Sequence, residues 1–279
     1  MTADLATGTA PKPRTSPPRK RLKASGKGAA RRRAFISFGA VFVVWELIGR
    51  FVVTNELFFV SISAIFNAAV DLAESGQLWR DTRASLIEFL LGFAAASLAG
   101  IVIGGLNAMS TPFRNYVEPW VSAMYATPII AIGPLFILWF GLGMTSKVAV
   151  IFLTAVFPVI INTQAGLANT DRNLLEAVRS FGASKWQLFL KVRLPSSLPF
   201  IIAGERLAIA RALVGVVVAE LFGAREGLGY LIFVSSQTFR TADLFVGVFI
   251  LAGSGIVAVQ GLKWLEERLT PWRTAEETD

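Results

Sequence analysis

Cysteine and histidine are both absent from the 279 residues. Without thiols the chain has no disulfide scaffold, no thiolate metal site and no cysteine-linked acyl anchor. Without imidazole it lacks histidine ligands and a histidine acid–base catalyst. Charge is scarce as well. Only 16% of residues are Asp, Glu, Lys or Arg, where a soluble domain carries about 25%.

Apolar sequence fills the space that charge leaves. Hydrophobic residues make up 54% of the chain, and a bilayer crossing takes about 20 mostly apolar residues in a row. Six stretches qualify: Ala34–Val53, Leu86–Met109, Trp120–Phe140, Val148–Leu167, Phe200–Phe222 and Leu244–Leu262. The first contains Glu46 and Arg50, whose i,i+4 spacing lets them pair on one helix face. The sequence therefore predicts an all-α, polytopic membrane protein. Six transmembrane helices would lie within residues 34–272.

Six spans put both termini on one side. That side holds nineteen Lys/Arg, against five on the other: Arg80, Arg83, Lys147, Arg225 and Arg240. The positive-inside rule then places both termini in the cytoplasm. Much of the formal net charge of +8 comes from a basic tail, residues 1–33, rich in Pro and poor in large apolar groups. Such a tail cannot bury enough surface to fold. Because an apolar run follows at once, it reads as a cytoplasmic, lipid-facing anchor rather than a nucleic-acid arm. That run is too long for a signal peptide and has no small-x-small cleavage site. A short second tail, 273–279, closes the chain.

One loop, 168–199, stands apart. Its stretch LEAVRSFGASKWQLFLKVRLP (Leu175 to Pro195) carries Glu176, Arg179, Lys185, Lys191 and Arg193 between two oily spans. Asp171 has the position of a helix N-cap, with Leu174, Leu175, Val178 and Phe181 as the apolar face. Gly182 should stop that helix. Ser184 and Gln187 have capping-box spacing, so a second short helix should start at Lys185. Pro195 and Pro199 should end it. This elbow offers apolar residues either to a partner protein or, lying flat, to the lipid surface.

The spacing of Glu176-Ala177, Gly182 and Val192-x-Leu194-Pro195 resembles the EAA loop of ABC importer permeases, E-A-A-x3-G-x9-I-x-L-P. Val178 stands for the second Ala, and Val192 for the Ile. The stretches TPIIAIGPLFILWFGLGMTSKVAVIFLTAVFPVIINTQAGL and GERLAIARALVGVVVAELFGAREGLGYLI resemble the sulfonate/taurine/nitrate-type branch of that family. There an AE…GLG sequence follows the fifth span, matched here by Ala219-Glu220 and Gly227-Leu228-Gly229. The likeness covers roughly Leu86 to Trp272.

The resemblance implies a type I ABC importer permease fold in a bacterial inner membrane. It implies three partners: a second copy of the chain, a separate ABC ATPase subunit that holds ATP and Mg, and an extracytoplasmic substrate-binding protein. It implies that the loop is the coupling helix, seated in a groove of the ATPase. Gly182 would permit its turn, Glu176 would anchor it by capping or a charge pair, and Leu194-Pro195 would set the angle into the fifth span. ATP-driven closure of the ATPases would draw two such loops together and switch the spans from inward to outward access. No G-x4-G-K-[ST] phosphate loop occurs, so this chain is expected to be no enzyme. The implied cargo is a small solute, an anion such as a sulfonate, taurine or nitrate. Other members of the branch carry pyrimidine vitamin precursors, riboflavin or aromatic carboxylates.

Several residues inside the spans bear on the pathway. Glu205, Arg206 and Arg211 fall in the cytoplasmic half of the fifth span, where they either pair structurally or attract an anion. Glu220 lies near its outer end, positioned to pair with Arg225 or to face the binding protein. Asn162, Thr163 and Gln164 suit helix–helix hydrogen bonding, and GIVIGG near Gly100–Gly105 suits close helix packing. Pro128 and Pro134 mark a kink. A secondary transporter is the rival of a different class, but no inverted repeat is evident.

Overall fold

The computed structural model describes residues 27–53, 55, 57 and 59–270. The expected tail residues 1–26 and 271–279 lie outside them. The chain divides into two units at Trp45/Glu46. In the first, helix α1 (Lys27–Leu47) begins seven residues ahead of the expected span, inside the basic stretch read as unfolded. Ala and Arg are strong helix formers and extend a helix that the apolar run nucleates. Its apolar side chains, among them Phe35, Ile36 and Val41 to Val44, are exposed, as contact with lipid requires.

The second unit takes the last two residues of α1, Glu46 and Leu47, and continues with a π-helical turn, Ile48–Val52. Glu46 and Arg50 meet at 3.6 Å, as their spacing implies, and Ser63 donates to Glu46 through both its N–H and its hydroxyl. There follow α2 (Ile62–Glu74), α3 (Gln77–Met109), α4 (Thr111–Ala126), α5 (Ile129–Phe140), α6 (Met144–Ala168), α7 (Arg172–Ser180) and α8 (Lys185–Leu188). A π-helical turn, Phe189–Arg193, leads into α9 (Leu194–Leu221), and α10 (Leu228–Gln237) and α11 (Thr241–Leu269) complete the unit. At 1.5 Å per residue, the 33 residues of α3 extend about 50 Å, well beyond a bilayer core.

Three helices make the core. Phe89 and Ala96 of α3, Ile151, Ala155, Val159 and Ile160 of α6, and Ala208, Ala212 and Val216 of α9 are buried together. Glycines bring the backbones close, as GIVIGG foretells. A Cβ at Gly100 would lie 2.6 Å from the Val159 Cβ, and one at Gly104 would lie 2.6 Å from the Ile160 carbonyl. Such contact stabilises helix pairs in lipid, where apolar area alone does not drive association. Gly92 meets Ile151 and Gly104 meets Thr163, so α3 and α6 run parallel. Gly204 meets Asn162 and Gly215 meets Thr154, so α9 runs antiparallel to both.

The structure extends one expectation and corrects two. The kink marked by Pro128 within Trp120–Phe140 is a full break: α4 and α5 meet at a 103° bend. Pro128 lacks an N–H and forces Thr127 into extended backbone, ψ 131°. The second elbow helix does not end at Pro195. Leu194 N–H bonds to Phe189 O across the π-helical turn, and the helix runs on with Pro195 in the first turn of α9. Finally, α2 and α10 were not foreseen at all. Among the described residues, four helices are long and apolar enough to cross a membrane, and the bent pair makes a fifth. The sixth expected span is α9, whose 28 residues reach far enough but carry Glu205, Arg206, Arg211 and Glu220.

Candidate functional site

The elbow is a small folded unit. The Asp171 carboxylate accepts from Asn173 N–H at 2.8 Å and so caps α7. Gly182 follows the helix with φ +79°, a left-handed conformation that an L side chain adopts at a cost of about 1–2 kcal/mol. Ser184 and Gln187 complete the capping box, their reciprocal bonds measuring 3.2 and 2.9 Å. Leu175, Leu188 and Val192 are buried against one another, with Val178 packed beside them. Leu194 and Pro195 are half-buried.

The expected apolar face of α7 is split. Leu175 and Val178 point inward, whereas Leu174 and Phe181 point out, Phe181 with 92% of its surface exposed. Trp186 is also exposed and stacks on Phe189 at 5.8 Å. Glu176 and Ala177 lie on the outward side. Among the described residues the Glu176 carboxylate accepts no hydrogen bond and joins no ion pair, so it does not anchor the elbow within this chain. The tip therefore presents apolar side chains with Glu176, Arg179 and Lys185 exposed among them.

The charged groups of α9 do not converge. Arg206 turns toward α11 and pairs with Glu266 at 2.9 Å. Arg211 is five residues on, about 140° around the helix, and its guanidinium lies over the Tyr125 ring, 5.7 Å from the centroid. It stands midway between Phe200 and Phe222 rather than in the cytoplasmic half expected of it. There it lines a cavity of about 160 Å³ beside the α4–α5 bend, together with Tyr125, Thr127, Thr154 and Phe157. Among the described residues Arg211 forms no ion pair. Glu205 is buried and accepts from the Ser97 hydroxyl of α3 at 2.6 Å.

Glu220 has a role that neither expected pairing described. It is fully buried. One oxygen accepts from the Ser85 hydroxyl at 2.5 Å; the other accepts from Gly229 N–H at 2.6 Å and Tyr230 N–H at 3.2 Å. Ser85 Oγ in turn accepts from Leu228 N–H at 2.7 Å, and Asp81 accepts from Gly227 N–H at 2.9 Å. The four orphan N–H groups at the start of α10 are thereby all satisfied by side chains of α3 and α9. The two glycines follow from that arrangement: Gly227 has φ +126°, and a Cβ at Gly229 would sit 2.9 Å from the carboxylate.

Residues 96–271 match the family described as binding-protein-dependent transport system inner membrane component. The chain belongs to that family. It is 35% identical over 236 residues to the formylaminopyrimidine transport permease protein ThiX of Halalkalibacterium halodurans, covering 85% of this chain and 94% of that one. To SsuC of Bacillus subtilis, named for aliphatic sulfonates transport, it is 33% identical over 265 residues, covering 95% and 96%. An inward-facing structure of the MetNI methionine ABC transporter superposes with a TM-score of 0.55 at 18% identity, covering 70% of this chain and 96% of that one. The fold is that of a type I ABC importer permease, and the protein is the non-enzymatic membrane component of such an importer. An ATPase subunit and a binding protein are the partners this membership implies. The secondary-transporter alternative falls with it.

In this permease the residues that sequence reasoning missed are Asp81, Ser85 and Glu88. All three are buried on α3, Glu88 in a 2.5 Å ion pair with Lys147 of α6. A signal was there. Spacing of i, i+4 and i+7 sets them on one face of a helix whose other residues are largely apolar. Two expected groups behave as foreseen in part: Asn107 donates to Gln164 at 2.9 Å between α3 and α6, while Asn162 bonds only to Pro158 O of its own helix.

Proposed function

We propose that this permease imports a small organic anion, of the sulfonate or taurine type, delivered by an extracytoplasmic binding protein. Both termini and the elbow face the cytoplasm of a bacterial cell, and two copies of the chain form the pathway. The observation that carries the anionic cargo is Arg211. An intramembrane arginine without a counter-ion is costly unless it serves a ligand or a water-filled path. Here it stands at a broken helix, the kind of place where membrane transporters hold substrate. The elbow's exposed Phe181, Leu174 and Trp186, with the outward Glu176, would seat in the ATPase groove. Phe181 supplies the apolar anchor.

A second reading has an observation of its own. Tyr125 and Phe157 meet edge to face at 6.4 Å in the same cavity, a surface suited to a flat heterocycle. The name of the ThiX relative fits that alternative. Uptake of labelled taurine and ethanesulfonate by cells with the gene deleted and then restored separates the two. Loss and recovery supports the anion reading. Unchanged sulfonate uptake, with loss of formylaminopyrimidine uptake, moves the cargo to the heterocycle.

A further inference from the structure

Among the described residues of the second unit that lie outside the expected spans, five Lys/Arg stand at the end of the helices remote from the elbow, against eight at the elbow end. Four of those five, Arg80, Arg83, Lys147 and Arg225, line one cavity of about 740 Å³. It lies between the first turns of α3, the start of α6 and the segment that follows α9. The positive-inside rule removes cations from this side, so their gathering at one hollow asks for a cause.

The cations divide into two kinds. Lys147 is deep, its side chain 12% exposed, and is neutralised by Glu88, whose side chain is 1% exposed. Arg80, Arg83 and Arg225 are exposed and join no ion pair among the described residues. Glu226 is the other carboxylate of the lining, so four cations against two carboxylates leave a charge of +2. Arg80 and Arg83 are i,i+3 neighbours on one face of α3. Guanidinium groups so placed offer paired, planar N–H donors to an oxyanion.

We propose that this hollow is an extracytoplasmic vestibule, in which Arg80, Arg83 and Arg225 hold the sulfonate or carboxylate head group of a small organic anion before it enters the membrane. The inference rests on the anionic cargo and the orientation proposed above. A small solute fits better than the acidic side chains of a docking protein. The site is a recess of small-molecule size, roughly 300–1,000 Å³, and its deepest cation is nearly covered.

The cysteine-free chain permits a direct test. Met144 is exposed and lines the hollow; Met144→Cys in the complete importer, in intact cells at low ionic strength, places one thiol there. It is labelled from outside with an anionic methanethiosulfonate (sulfonatoethyl) and a cationic one (trimethylammonioethyl). The anion-to-cation rate ratio is then normalised to 2-mercaptoethanol, an uncharged thiol. The same thiolate attacks both reagents, releasing methanesulfinate from each, so the acidity of the thiol cancels.

With a net charge of +2 in the hollow, the ratio should exceed that of the free thiol roughly 25-fold. Arg80→Gln, Arg83→Gln or Arg225→Gln should each lower it about fivefold, as Coulomb's law gives for a charge about 8 Å away in water. Ethanesulfonate should slow labelling. A ratio equal to the free thiol's overturns the vestibule and leaves a sulfonate uptake result intact. A raised ratio that ethanesulfonate ignores, but that the purified binding protein abolishes, overturns it in favour of protein docking. Absence of labelling from outside overturns the orientation beneath it.

Discussion

Glu220 offers the sharpest test of the structural reasoning, because its two oxygens account for three donors in a dry site. Glu220→Ala leaves Gly229 and Tyr230 N–H without an acceptor and Ser85 without its partner. An orphaned buried N–H costs about 1–3 kcal/mol, so the change should cost about 3–5 kcal/mol. Glu220→Gln keeps one oxygen for the two N–H groups but turns an NH2 toward Ser85. That hydroxyl already accepts from Leu228 N–H and can accept once more. The loss is then of charge assistance and of one acceptor, about 1–2 kcal/mol. For a chain of this size 1 kcal/mol moves Tm by about 2–4 °C. Thermal midpoints of the purified full chain in detergent, read as loss of the monodisperse species, should rank wild type, Gln, Ala, with Ala lower by roughly 6–20 °C. Proteolysis in the 222–227 segment should rise in the same order. An Ala variant that melts with the wild type would refute the capping account of the AE…GLG sequence.

Four further perturbations address other parts of the chain. Gly182→Val puts a β-branched residue at φ +79°; membrane insertion should be intact, while uptake is lost or ATP hydrolysis proceeds without it. Arg211→Gln should raise KM for an anionic cargo about tenfold, and an unchanged KM in uptake assays would favour the heterocycle. Lys147→Met strands the Glu88 carboxylate and should destabilise by about 3–5 kcal/mol; the double variant Glu88→Gln, Lys147→Met should recover most of the loss in thermal midpoint. Gly104→Val drives a side chain into the Ile160 carbonyl, and the amount of folded protein recovered from membranes should fall sharply.

Local chemistry was the legible part of the sequence. Asp171, Gly182 and the Ser184–Gln187 box act over three or four residues, so spacing alone announces them, and the structure has each in place. The glycines of α3 were legible for a similar reason: small residues four apart admit a neighbouring backbone. Long-range satisfaction was not legible. Nothing near Glu220 in the chain points to Ser85, 135 residues away, or tells that Asp81 and Ser85 would cap a helix beginning at Leu228. Proline does not stop the second elbow helix. A π-helical turn shifts the hydrogen-bond register by one residue and lets Pro195 enter the first turn of α9, where proline is tolerated.

The same distinction bears on α9, an expected span that carries four ionisable groups. Hydropathy arithmetic treats each side chain as if lipid surrounded it. Every ionisable group on α9 is instead met by a different neighbour: Glu205 by Ser97 of α3, Arg206 by Glu266 of α11, Arg211 by Tyr125 of α4, and Glu220 by Ser85 of α3 and the start of α10. Four elements thus fix the rotation and height of one helix through polar contacts that a shift of one residue would break. Apolar packing alone tolerates sliding far better. With the π-helical turn, helical backbone runs from Lys185 to Leu221, joining the elbow at one end to the cap of α10 at the other. Contacts at residues 205–206, 211 and 220 hold that length in register at three heights. The charges that make α9 costly on a composition count are the contacts that hold its register.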